Sequence, residues 1–174
     1  MKRRLGVSSF LALIFISLVL RPPIAQVGPL LQEITASLSL TAAQASFLTA
    51  IPVFCFGLGA FLSPWMMRRF GLNHSMFAVL VILAASVAAR VWFGFSGLLL
   101  GTVLVGLAIA VANVLLPSFV RNDFGDRASM VTSIYTTLLA ISASFTAAVA
   151  VLFSESLGGW QNATLVVLLP AVLA

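Results

Sequence analysis

Long apolar runs, interrupted only by isolated charges, set the pattern of this chain. Residues 5–20, 34–67, 70–89, 91–120, 128–154 and 156–174 carry no charged side chain. The runs are continuous and lack the period-two alternation of barrel strands, so they predict helices. Crossing about 30 Å of hydrocarbon takes about 20 mostly apolar residues. The pattern therefore predicts six transmembrane helices, at about 5–29, 42–66, 75–92, 98–119, 128–152 and 161 onward. The fold class expected is an all-α, polytopic membrane helix bundle, with 1–174 as one unit.

Polar residues at the ends of the runs predict the boundaries. Thr41-Ala42-Ala43-Gln44 fits a capping box that starts the second helix. Asn73 or Ser75 is the expected cap of the third helix, Ser96 of the fourth and Asp126 of the fifth. Gly158-Gly159 predicts the turn between the fifth and sixth, and 30–40 has room for a short interfacial turn of helix. The first span begins like a signal peptide, with Lys2, Arg3 and Arg4 before an apolar stretch. Arg21-Pro22-Pro23 follows with no small-x-small cleavage site, so an uncleaved span is expected. The sixth run is short: Ala163–Ala174 is 12 residues, reaching about 18 Å. The expectation is a truncated sequence or fragment.

Composition narrows the class. Of 174 residues 61% are hydrophobic and 7% charged, against roughly 45–50% and about 25% in soluble domains. This excludes a soluble enzyme and a nucleic-acid module as leading readings, although the net charge is +5. The basic residues instead set orientation. With the N-terminus in the cytoplasm, the inner side holds Lys2, Arg3, Arg4, Arg68, Arg69, Arg121 and Arg127, or 7 of 9 cations. Glu33 and Glu155 fall in outer loops. The expected location is the cell (inner) membrane, multi-pass, in contact with the lipid bilayer.

Arg21 and Arg90 are the cations left within predicted spans, both in the outer half at similar depth. A charge in hydrocarbon costs at least ~2.5 kcal/mol, and such residues usually face a water-filled path or a partner. No acid lies in any predicted span, so an anion from outside the chain is a candidate counter-charge. The alternative is snorkelling to the interface, favoured for Arg90 beside Trp92 and less for Arg21, where two prolines loosen the helix. Gly106, Ala110, Asn113 and Pro117 share one face of the fourth span. The two small residues admit a neighbouring helix, Asn113 is an amide on that face, and Pro117 is a break. Interruptions at corresponding depth in the first and fourth spans point to inverted three-helix repeats with a binding site between them. Tyr135, Leu139, Ser142 and Thr146 share a face of the fifth span, lining a polar path or serving packing alone. Phe47, Phe54 and Phe61 recur every seven residues and are expected to face lipid or pack. The chain shows no catalytic constellation, metal cluster or phosphate-cradling loop, so no enzyme activity and no cofactor are expected.

These residues carry a resemblance. Six spans, a cytoplasmic N-terminus and the segment Arg68-Arg69-Phe70-Gly71 resemble the N-terminal half of a major facilitator superfamily transporter. Arg68 stands where that superfamily's acidic residue is usual, and Pro64 where a glycine is. Leu20-Arg21-Pro22, Val27-Gly28-Pro29-Leu30-Leu31, Asn113-Val114-Leu115-Leu116-Pro117 and Arg121-Asn122-Asp123-Phe124 are similar to the cyanate permease branch, which includes nitroimidazole transporters. Trp160 after Gly159 fits too, with Gln161 in place of the more usual Arg. The resemblance implies secondary transport of a small solute, a small anion such as cyanate, by alternating access. It also implies a missing C-terminal six-helix half. Expected substrate-binding residues are Arg21, Asn113, Tyr135 and Arg90; Arg68, Arg69 and Gly71 form the gating cytoplasmic loop. A non-transporting remnant or scaffold, and a half-transporter that dimerises, are the competing readings.

Overall fold

The computed structural model describes residues 7–166. Lys2, Arg3 and Arg4, the first residues of the first predicted helix and the end of the sixth (167–174) lie outside the described residues. The described chain is all-helical: α1 Val7–Leu20, α2 Pro22–Ala25, α3 Val27–Ser37, α4 Ala42–Phe70, α5 Leu72–Trp92, α6 Gly94–Phe124, a 3-10 turn Gly125–Arg127, α7 Ala128–Leu157 and α8 Trp160–Val166.

Three described stretches are long and apolar enough to cross a membrane: Ala42–Phe70, Leu72–Trp92 and the 64-residue Gly94–Leu157. A fourth is possible if Ser9–Ala25 and Val27–Ser37, bent by 42°, act as one. The 64-residue stretch folds back on itself at Gly125, where φ is +50°. Its two arms, α6 and α7, run in opposite directions. Phe124, at the end of α6, stacks edge-on against Phe10 at 6.3 Å between ring centroids, and Ser9 Oγ donates to Asp123 at 3.0 Å. From that end α7 returns alongside the first span. Ser142 donates to the Ser17 carbonyl at 3.4 Å, and Ser154 donates to Glu33.

Close backbone contact fixes the other helices. A Cβ on Gly59 would lie 2.3 Å from the Ala110 Cβ, and one on Gly106 2.9 Å from the Cys55 Cβ. Positions 55 and 59 on α4 thus meet 106 and 110 on α6, so these helices run parallel. Gly106 and Ala110 admit a neighbouring helix as their spacing predicts. Gly97 meets Ala89 and Phe93, and Gly101 meets Ser86 and Arg90, making α5 and α6 antiparallel. The main core joins Leu13, Val19, Leu83, Ile109, Leu115 and Tyr135 from four helices. A second cluster, around Leu30, Leu48, Leu98 and Trp160, lies towards the opposite end from the 3-10 turn.

Several boundaries differ from the sequence reading. Thr41 and Gln44 do form a capping box, and Gly158 ends α7 in the left-handed conformation. Gly71 at φ +76°, not Asn73 or Ser75, begins α5. Phe93 precedes α6 in place of Ser96, and Asp126 sits within the 3-10 turn. The first span is broken at Arg21 and Gln26 and continues as helix to Ser37, since two adjacent prolines remove the amides that would bond the Leu18 and Val19 carbonyls. Pro117 is not a break, because α6 runs on through it to Phe124.

Candidate site at the break in the first span

Arg21 occupies the joint between α1 and α2, with φ −90° and ψ −37°. A residue before proline is crowded in this region, so the conformation depends on its surroundings. The Ala25 amide donates to the Arg21 carbonyl at 3.0 Å, and the Gln26 amide donates to the Pro22 carbonyl at 3.2 Å. The Arg21 side chain is half-buried.

Arg90 reaches the same break from α5. Its Nη1 donates to the Pro23 carbonyl at 2.5 Å, two residues beyond Arg21. The two arginines therefore lie near one level. Arg90 is only 2% exposed, and its stem packs on Gly101, where a Cβ would lie 2.6 Å from the Arg90 Cγ. The snorkelling preferred for Arg90 in the sequence is thus overturned. Gly101 lets the stem turn inward across α6, and the break in the first span offers it a carbonyl. Arg90 Nε and Nη2 have no hydrogen-bond partner among the described residues, and neither does Gln26 Nε2. Gln26 is also 2% exposed. A buried cation whose single partner is a neutral carbonyl is an uncommon and costly arrangement.

Gln26 lines a cavity of about 370 Å³ with Leu18 and Pro22 from the first span, Thr146 and Val149 from α7, and Ala163 from α8. A second, wider concavity of about 590 Å³ is bounded by Leu58, Phe61, Leu62, Trp65 and Leu107. Its walls carry no polar side chain apart from the Trp65 indole, so it offers little to a charged solute.

The other expected site residues are more dispersed. Asn113 is half-buried on α6. Pro117 has no N–H to bond the carbonyl four residues earlier, so Asn113 combines a side-chain amide with a backbone carbonyl lacking its helical donor. Tyr135 is buried in the main core, on the part of α7 nearer the 3-10 turn than Ser142. Ser142 donates to Leu139 and Ser17 carbonyls, a packing role; Thr146 is the member of that face that borders the cavity. The structure brings Arg90 to the break that Arg21 opens, and shows no side-chain hydrogen bond from Asn113 or Tyr135 to either among the described residues. Arg68 and Arg69 are exposed in the last turn of α4, where cations complement the helix dipole. Gly71 supplies the positive φ of the joint to α5.

Glu33 was expected in a loop. It lies on α3 and accepts from Ser154 Oγ and from the Trp160 amide at 2.8 Å. Trp160 Nε1 donates to Ser37 Oγ at 2.8 Å. Neither Glu33 nor Gln26 was singled out as a functional candidate. For Gln26 the signal was present: it is the one amide between Ala25 and Val27 in a stretch where every neighbour is apolar, glycine or proline.

Known proteins resemble most of the chain. An uncharacterized transporter of Bacillus subtilis (strain 168), YycB, is 37% identical over 154 residues, covering 88% of this chain and 38% of that protein. The 2-nitroimidazole transporter of Escherichia coli (strain K12) is 33% identical over 162 residues, covering 93% and 41%. Over most of its length the chain is similar to these two transporters. The cyanate transport protein CynX of the same E. coli strain is 27% identical over 165 residues, 94% of this chain and 43% of that protein. No family model matches the chain. The chain thus spans about two fifths of the length of these curated transporters. Its apolar helices fit a membrane protein, and the resemblance to the cyanate permease and nitroimidazole transporter branch holds.

Proposed function

We propose that the chain forms the N-terminal six-helix half of a secondary transporter that moves a small solute, a small anion such as cyanate, by alternating access. In this reading α1–α3 together make one span, α4, α5, α6 and α7 one each, and α8 begins the sixth. Two inverted three-helix repeats make up the half, which sits in the inner membrane with its N-terminus in the cytoplasm. The observation that carries the reading is the Arg90 guanidinium, buried at a proline-broken span with no acid bonded to it. Broken helices that expose backbone groups beside a cation are suited to binding a solute within a membrane.

Arg21 and Arg90 supply positive charge from two sides of the break. Asn113 offers an amide and a carbonyl from α6 and Tyr135 a hydroxyl from α7, both nearer the 3-10 turn than the break. Arg68, Arg69 and Gly71 form the joint between the second and third helices, where gating motion is accommodated. The names of the relatives support a small-molecule substrate; the cyanate transport protein supports an anion.

The test is uptake by the intact protein, in cells or vesicles, across a panel of small anions. Arg21→Ala should abolish saturable uptake while membrane insertion stays normal. Arg21→Lys should be partly impaired, because an ammonium lacks the planar, bidentate donors of a guanidinium. Unchanged uptake in Arg21→Ala removes Arg21 from the site. Failure of the intact protein to accumulate any small anion overturns the reading.

A further inference from the structure

Three buried donors gather around the break: Arg90 Nε, Arg90 Nη2 and Gln26 Nε2, each without an acceptor among the described residues. Gln26 follows Pro23, the residue that anchors Arg90, by three positions, less than one helical turn. Polar atoms this deeply buried are nearly always paired, and an orphan calls for a ligand, water or ion. The set is made of donors and carries one positive charge. The acid closest in sequence, Glu33, is engaged by Ser154 and Trp160. Of the two residues it is Gln26 that borders the cavity between the first span, α7 and α8, whose volume is ample for a few heavy atoms.

We propose that Arg90 and Gln26 together form a recognition site for a small monovalent anion, reached through that cavity. Arg90 supplies the charge and a planar pair of donors. Gln26 supplies a directional amide donor that selects for an acceptor atom on the cavity side. The Pro23 carbonyl holds the guanidinium in place. The role of this site in translocation rests on the transport reading above; anion binding itself rests on the geometry.

The experiment is thermal unfolding of the intact protein in detergent, with sodium nitrate against sodium gluconate at equal ionic strength. Nitrate is planar, monovalent and matched to guanidinium geometry. The melting temperature should rise saturably with nitrate. Gln26→Leu should weaken the apparent nitrate affinity about tenfold or more. In gluconate it should melt at or above the parent, because leucine removes a buried orphan donor. Should that variant not fold, Gln26→Glu provides the acceptor internally and should erase the nitrate response. An unchanged response in the variant that folds, or no saturable rise in the parent, assigns these donors to buried water and overturns the site. The uptake assay reports separately. Nitrate stabilisation that Gln26→Leu removes, in a protein that transports no anion, keeps the site and refutes the transport reading. Anion uptake with an unaltered nitrate response in Gln26→Leu does the reverse.

Discussion

Single residues decide how closely these helices approach. At Gly59 the absent side chain is what lets α4 lie against α6, since an added Cβ would sit 2.3 Å from the Ala110 Cβ. Real contacts of that kind do not occur, so Gly59→Ala must push the helices apart or distort one of them. Overpacking of this sort costs typically about 1–3 kcal/mol. We expect Gly59→Ala to lower the melting temperature of the intact protein in detergent. Pairing it with Ala110→Gly should restore part of the loss, because the methyl is then carried by the other helix. No recovery in the double variant would show that the defect lies elsewhere than in this contact. This close approach was legible in the sequence from Gly106 and Ala110 alone. The inward turn of Arg90 was not, because it depends on Gly101 and on the Pro23 carbonyl, which are near Arg90 only after folding.

Elements follow local rules at some ends and tertiary demands at others. The Thr41–Gln44 capping box forms as written because both groups lie within one turn, with the Thr41 amide donating to Gln44 Oε1 at 2.8 Å. The extension of the first span to Ser37 was hidden, since Glu33 in an otherwise apolar approach reads as a loop residue. In the structure that carboxylate closes a seam, tying α3 to the end of α7 and the start of α8. Glu33→Ala would leave the Ser154 hydroxyl and the Trp160 amide without their acceptor. Losing an acceptor shared by two partly buried donors costs about 1–3 kcal/mol each where water cannot replace it. Amide hydrogen exchange across 158–166 should therefore speed up in Glu33→Ala. Glu155→Ala, at an exposed side chain, should leave it unchanged. Equal protection in the two variants would mean the seam is held by the apolar contacts around Trp160 instead.

Across the whole molecule, charge is sorted by end. Parallel α4 and α6 place their last turns together, so Arg68, Arg69, Arg121 and Arg127 share the end marked by the 3-10 turn, all exposed. Glu33 and Glu155 lie towards the other end, where Trp160 packs in the second core cluster. The sequence pattern carried this sorting, because each helix reversal moves the next loop to the opposite side; the span boundaries it left open affect depth more than side. The positive-inside rule predicts that the arginine end faces the cytoplasm. The rule counts only short loops flanking spans, which these turns are. A cysteine-free background made with Cys55→Ser, carrying either Arg127→Cys or Glu155→Cys, tests it with a membrane-impermeant thiol reagent. In intact cells the reagent should reach position 155 and not 127; in inside-out vesicles the pattern should invert. A reagent that labels both positions from one face would place the α7 ends on the same side, which a single crossing by α7 cannot produce, and the spanning arrangement would have to be redrawn.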